Sequence, residues 1–317
     1  MSATDHCSSS WYNVSCTDEF VNSLILTDNG LTGNIPSELA SLSNLEQLIL
    51  SGNQVTGNIP SELASLSNLL WLDLNSNSLS GNIPAELGNM SKLEQLILYD
   101  NEWLTGNIPA ELGNLTNLEQ LNLNQNRLTG NIPAELGNMS HLEQLNLYGN
   151  QVTGSIPSEL ASLSNLKQLK LEGNRLTGTI PAELASLNNL ELLRLDWNYL
   201  TGNIPFEVGN MTNLEQLHLN NNIVTGSIPA EIGSLIHLKR LYLHNNRLNG
   251  SIPTELGSLI HLEVLYLHLN ALTGNIPTEL GSLINLEQLI LYRNQLNATK
   301  PDEVQTLCDL STVQCAI

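Results

Sequence analysis

Leucine returns along this chain at a fixed interval. The phrase Leu-x-x-Leu-x-Leu-x-x-Asn-x-Leu-Thr-Gly-x-Ile-Pro-x-Glu-Leu recurs with a period of 24 residues. Its inner Leu-x-Leu pair begins at Leu24, Leu48, Leu72, Leu96, Leu121, Leu145, Leu169, Leu193, Leu217, Leu241, Leu265 and Leu289, which makes twelve repeats. One step is 25 residues long, where Glu102-Trp103 adds a position. Side chains of a strand alternate between faces, so each Leu-x-Leu predicts a short strand with both leucines inward and the middle residue outward. The Asn that follows suits a tight turn, because its amide can bond the backbone of the turn and stack into a ladder. Thr-Gly lets the chain turn again. All twelve prolines occupy one place in the repeat, after Ile in eleven of them and after Lys300 in the last, where they fix the backbone. The next segment, such as Glu-Leu-Gly-Asn-Leu, is too short for a long helix and predicts a single 3₁₀ turn. No unit can bury its leucines alone, so the units must stack. The fold expected is an α/β solenoid whose strands form one parallel concave sheet, at about 4.8 Å spacing, with the 3₁₀ turns on the convex side.

Composition sharpens this picture in two respects. The chain has 317 residues with a formal charge of −20. Twenty of its 31 acidic residues stand in two repeat columns, the Glu two places after each repeat proline and a second set including Glu46, Glu94 and Glu119. The acidity therefore belongs to the repeat, and it argues against nucleic acid, which needs a basic footprint. Second, no stretch nears the roughly 20 apolar residues of a membrane span. The polar start Met1-Ser-Ala-Thr-Asp5 shows no signal peptide, so a secreted form would have to be the mature one. There is no phosphate loop, nucleophile elbow or zinc-binding His pair, and catalysis is not expected.

The Leu-Thr-Gly-x-Ile-Pro phrase resembles the plant-specific class of leucine-rich repeats (LRRs), found in receptor-like kinase ectodomains and polygalacturonase-inhibiting proteins. The resemblance covers roughly residues 21 to 301 and implies a right-handed superhelix with a second small sheet. Cys7-Ser-Ser-Ser-Trp11-Tyr-Asn-Val14-Ser-Cys16 looks like the family's N-terminal cap, with Asn13 where Gly is usual. Leu307-Cys308 and Cys315 look like its C-terminal cap. The organisation expected is a cap at 1–20, repeats at 21–297 and a cap at 298–317. Such caps would hide the leucines of the end repeats. Four cysteines allow three pairings. The two ends of a long solenoid cannot meet, which leaves Cys7–Cys16 and Cys308–Cys315, and these point to an oxidising, extracellular compartment. Glycosylation sequons at Asn13, Asn89, Asn114, Asn138, Asn210 and Asn297 point the same way, although some share one repeat position. The family's long insertions, Arg-x-Arg clamp, kinase domain and membrane span have no counterpart here.

In such a stack, selectivity resides at the outward strand positions. These are bland early on and turn charged and aromatic from the seventh repeat. The binding residues expected are Lys170, Glu172, Arg194, Asp196, Trp197, His218, Tyr242, His244, Tyr266, His268 and Tyr292, because Tyr, Trp and Arg are the types that anchor interfaces. His218, His244 and His268 lie close together; no metal is assigned to them, and they should begin to take up protons below about pH 6.5. No cofactor is expected. The function expected is recognition of a protein or peptide by a secreted monomer, as inhibitor or receptor. Two alternatives stand beside it: ice binding by the stacked Thr and Asn columns (Thr32 to Thr273, Asn34 to Asn275), and a structural scaffold without ligand.

Overall fold

The computed structural model describes residues 14–17, 20–297, 299–310 and 313–317. It divides into two compact units, Met1–Thr153 and Gly154–Ile317. In each, short strands stack in register, one per repeat. The first unit opens with an antiparallel pair, Val14–Thr17 against Phe20–Ile25. Parallel strands Gln47–Ile49, Trp71–Asp73, Gln95–Ile97, Gln120–Asn122 and Gln144–Asn146 follow in order. The second unit continues the same plan through Gln168–Lys170, Leu192–Arg194, Gln216–His218, Arg240–Tyr242, Val264–Tyr266 and Gln288–Ile290. These are the Leu-x-Leu segments that alternation predicts. Leu48, Leu72, Leu121, Leu217 and Leu265 are wholly buried.

The asparagine ladder forms as the sequence implies. Nδ2 of Asn53 donates to the carbonyls of Leu26 and Leu50 at 2.7 and 2.9 Å. Its Oδ1 accepts the backbone N–H groups of Asn29 and Leu31 at 2.9 Å each. Asn198 does the same with Leu171, Leu195 and Leu176. One amide thus satisfies backbone groups of two repeats, which lets Asn198 sit buried.

After Thr-Gly the chain makes a second, smaller set of pairings. In the first unit Thr32–Asn34, Gln54–Asn58, Ser78–Asn82 and Trp103–Thr105 form a four-stranded parallel sheet. In the second, single bridges such as Asn203↔Thr225 and Ser227↔Asn249 hold the same place. The glycine here is required. Gly57 has φ +77°, and a Cβ on it would lie 2.7 Å from Oδ1 of Asn34.

Among the described residues, eleven 3₁₀ turns of five residues, Ser37–Ser41 to Thr278–Ser282, follow the prolines. Each Leu of the turn bonds back to the proline carbonyl, as Leu63 N–H does to Pro60 at 3.2 Å. In the last repeat Pro301 instead starts an α-helix, Asp302–Cys308, whose Val304 and Leu307 are buried. The strand Gln314–Ala316 then pairs with Gln288–Ile290. The Cys308–Cys315 disulfide ties helix to strand, with Cα atoms 5.7 Å apart. Cys16 is also disulfide-bonded; Cys7 and the Asn13 sequon lie outside the described residues. No described helix is long and apolar enough to cross a membrane.

Candidate functional site

Parallel, in-register pairing decides which outward residues meet. In the second unit it lines up Lys170, Arg194, His218, Tyr242, Tyr266 and Ile290 as one column. Two residues further along each repeat stand Glu172, Asp196, Asn220, His244, His268 and Tyr292. Neighbouring strands are only about 4.8 Å apart, so side chains of one column pack on each other and lose contact with water. Glu172 and Asp196 are each only 3 % exposed.

These two buried carboxylates share one guanidinium. Arg194 Nη1 lies 3.0 Å from Glu172 Oε1. Its Nε and Nη2 donate to the two oxygens of Asp196, both at 3.3 Å. Burial pushes both carboxyls above their ordinary range, and Arg194 pulls them back. Glu172 Oε2 remains buried with no hydrogen-bond partner among the described residues.

Beyond Arg194 the face is a continuous ring cluster. His218 and Tyr242 have centroids 4.5 Å apart. Tyr242 meets Tyr266 edge to face at 5.0 Å. His244 stacks flat on His268 at 4.4 Å, and His268 on Tyr292 at 4.8 Å. Tyr266 is held from the next repeat by a hydroxyl hydrogen bond to Gln288 Oε1. Edge-to-face and offset contacts of this kind fix the rings in place.

The expected proton uptake near pH 6.5 is corrected by this packing. Burial, seconded by the charges of Arg194 and Arg240, lowers the His218 pKa to about 3. Burial and the neighbouring His268 lower His244 to about 4. His268 is lowered by burial as well. Each of the three rings has one nitrogen buried without a hydrogen-bond partner among the described residues. The rings are neutral at the pH where an exposed histidine titrates. No group of three or more His, Cys, Asp or Glu among the described residues is arranged to hold a metal ion.

Two candidate residues stand apart from the cluster. Lys170 is in register beside Arg194 and acts on Glu172 through its charge. Trp197 occupies the left-handed position of the following turn, with φ +54°. It is 63 % exposed and, among the described residues, makes none of the ring contacts that join the others. Trp197 thus stands in the turn that follows the strand Leu192–Arg194.

In the first unit three residues of the outward column are covered. Ile49, Asp73 and Ile97 are buried, and Asp73 accepts hydrogen bonds from the Asn75 backbone and amide. The inserted Trp103 is exposed, with the Arg127 guanidinium 4.4 Å above its ring.

The sequons at Asn89, Asn114, Asn138, Asn210 and Asn297 all present an exposed asparagine. Sequence reasoning overlooked one more. Asn249-Gly250-Ser251 is also a sequon with an exposed asparagine. Its triplet overlaps the repeat's own Thr-Gly-Asn step, which concealed it.

This architecture, one leucine-lined strand and one asparagine rung per repeat, defines a repeat protein built to present a face. The chain belongs to the leucine-rich repeat proteins, and within them to the plant type. The leucine-rich repeat region family matches residues 23–132, the two-copy repeat family 116–162, and the single-repeat family five segments from 165–187 to 261–283. No curated protein matches the chain significantly. Among solved structures, it is similar to the Arabidopsis receptor kinase HAESA, determined with the peptide hormone IDA and the co-receptor SERK1. That likeness has 37 % identity and a TM-score of 0.78 over 84 % of this chain and 45 % of the other. It is also similar to the plant peptide hormone receptor RGFR1 in complex with RGF2, at 28 % identity and TM-score 0.61 over 96 % and 67 %. A plant ice-binding protein matches at 26 % identity and TM-score 0.62 over 92 % and 89 %. The chain spans about half the length of the first receptors it matches.

Proposed function

We propose that the chain is a non-catalytic, extracellular recognition protein that binds a protein or peptide on the strand face of Gly154–Ile317. The observation that carries this is the neutral ring cluster from His218 to Tyr292, locked by its own contacts beside a single guanidinium. Rigid aromatic groups already in position lose little entropy on binding, and aromatic anchors dominate interfaces. Similarity to receptors solved with peptide hormones supports the same class of ligand. The exposed sequons and the disulfides fit a secreted chain.

The test is capture from the native extracellular fluid by wild type and by a Tyr242→Ala/Tyr266→Ala variant. Arg194 is left intact, since it holds two buried carboxylates. The variant is expected to lose the partner that wild type retains. Capture of the same proteins by both would end the proposal.

A second reading rests on the small polar columns. Thr56 Oγ1 donates to the carbonyl of Gly33 and to Oδ1 of Asn34 at 3.2 and 3.1 Å. Thr153 bonds Gly130 and Asn131 in the same way. Hydroxyls and amides are thus pinned at repeat spacing on an exposed surface, which could order water as an ice-binding face does. A match to a plant ice-binding protein that extends over most of both chains favours it. Thermal hysteresis and recrystallisation inhibition decide the matter; ice growth unaffected by micromolar protein removes this reading.

A further inference from the structure

The most informative departure from the repeat outside the strand face is at Phe206. The residue after the repeat proline is otherwise small or polar: Ala182, Ala230 and Thr254 in neighbouring repeats. Phe206 is 61 % exposed, so the ring does not serve the core. It stands beside an open groove of about 680 Å³ that runs over three repeats and is floored by Pro205, Pro229 and Pro253.

A second departure opens that groove. In most repeats an Asn amide lies over the glycine of the next repeat. Asn203 Oδ1 would be 2.5 Å from a Cβ built on Gly226. At the next two positions the amide is replaced by Ser227 and Ser251, whose nearest atoms to the equivalent points are 3.3 and 3.6 Å away. Removing two amides while adding one phenyl ring turns a filled column into a recess with an apolar wall. The volume is within the range of ligand sites.

Charge selects the occupant. Glu231 and Glu255 line the recess and are exposed, and no Lys or Arg is among its lining residues. A partner in this recess meets an aromatic ring and two carboxylates. We infer that the groove beside Phe206 is a docking surface for a protein segment that places an apolar side chain next to a Lys or Arg. The apolar side chain packs on Phe206 over the prolines, and the cation pairs with Glu231 or Glu255 at the rim. This surface is separate from the strand face and does not depend on what binds there.

The test pans a random twelve-residue peptide library on the whole protein, produced in a host that adds no N-glycans because the Asn249 sequon borders the recess. Selected peptides are then measured by fluorescence anisotropy. Two variants restore what other repeats carry and so leave folding intact: Phe206→Ala and Ser227→Asn. Enriched peptides are expected to combine Lys or Arg with an adjacent Leu, Phe or Trp. They are expected to bind either variant about tenfold or more weakly and to bind a Tyr242→Ala variant as they bind wild type. Equal binding to both groove variants overturns the inference, as does enrichment of acidic or uncharged peptides or of none. Peptides lost only from Tyr242→Ala overturn it too, and assign their binding to the strand face.

Discussion

At the scale of single residues, neighbours on adjacent strands set the chemistry more than residue type does. The three clustered histidines carry no charge near neutrality, because ring packing removes the water an imidazolium needs. Their folded pKa lies below the ordinary 6.5, so the unfolded chain binds protons first as pH falls. Stability from this source is present above pH 6.5 and declines from about 6.5 down to about 4 for His244 and about 3 for His218. The slope is at most about 1.4 kcal/mol per pH unit for each histidine. Urea unfolding across that range should show the loss, and a His218→Asn/His244→Asn variant a flatter profile. A His218 ring resonance titrating near 6.5 would contradict the geometry. Arg194 gives a prediction of the opposite sign. Its side chain is 34 % exposed, over carboxylates that are nearly buried. Arg194→Ala leaves two buried anions unpaired, so their pKa values rise further. The loss should be about 2–3 kcal/mol at pH 7.5, below the range for a fully buried pair because of that exposure. It should shrink as pH falls, because protonation removes the unpaired charges. An equal loss at every pH would mean that packing alone is at stake.

At the scale of the element, one repeat is neither strand nor turn by itself. Three residues of strand cannot stand alone, and the leucines are buried only because the next repeat supplies the opposite wall. Asn101 shows the coupling. It is wholly buried; its Nδ2 donates to Leu74 and Leu98, and its Oδ1 accepts from Leu79 N–H at 3.0 Å. Asn101→Ala strands those backbone groups and should cost about 2–4 kcal/mol. Hydrogen exchange should localise the weakness to the strands Trp71–Asp73 and Gln95–Ile97. Unchanged protection in both strands would mean that the ladder amides contribute less than their burial implies.

At the scale of the whole molecule, the open end of a stack is its weak point. In Gly154–Ile317 the helix Asp302–Cys308 and the strand Gln314–Ala316 cover the last leucines, held by one disulfide. Replacing Cys308 and Cys315 by Ser should cost about 2–3 kcal/mol. Exchange protection should fall first in Gln288–Ile290 and Val264–Tyr266, and a uniform fall across all strands would argue against fraying from this end. The formal charge of −20 is spread over the repeat columns, which keeps such a chain soluble without itself forming a site.

The sequence by itself determined the period, and with it the strands, the asparagine rungs and the proline-led 3₁₀ turns. Each is dictated locally by residue type and spacing: alternation, amide bonding and a locked proline φ. It also placed Tyr242, Tyr266, His244 and His268 in neighbouring columns, since in-register stacking needs only the count of 24. Only the tertiary structure decided what that proximity does. It buried Glu172 and Asp196 under Arg194, kept the histidines neutral and hid Ile49 and Ile97 of the first unit. It set Trp197, exposed, in a left-handed turn and exposed Phe206 beside a groove that two serines line. The reason is physical: repeat spacing fixes which residues are neighbours, whereas burial and charge depend on side chains from three repeats at once.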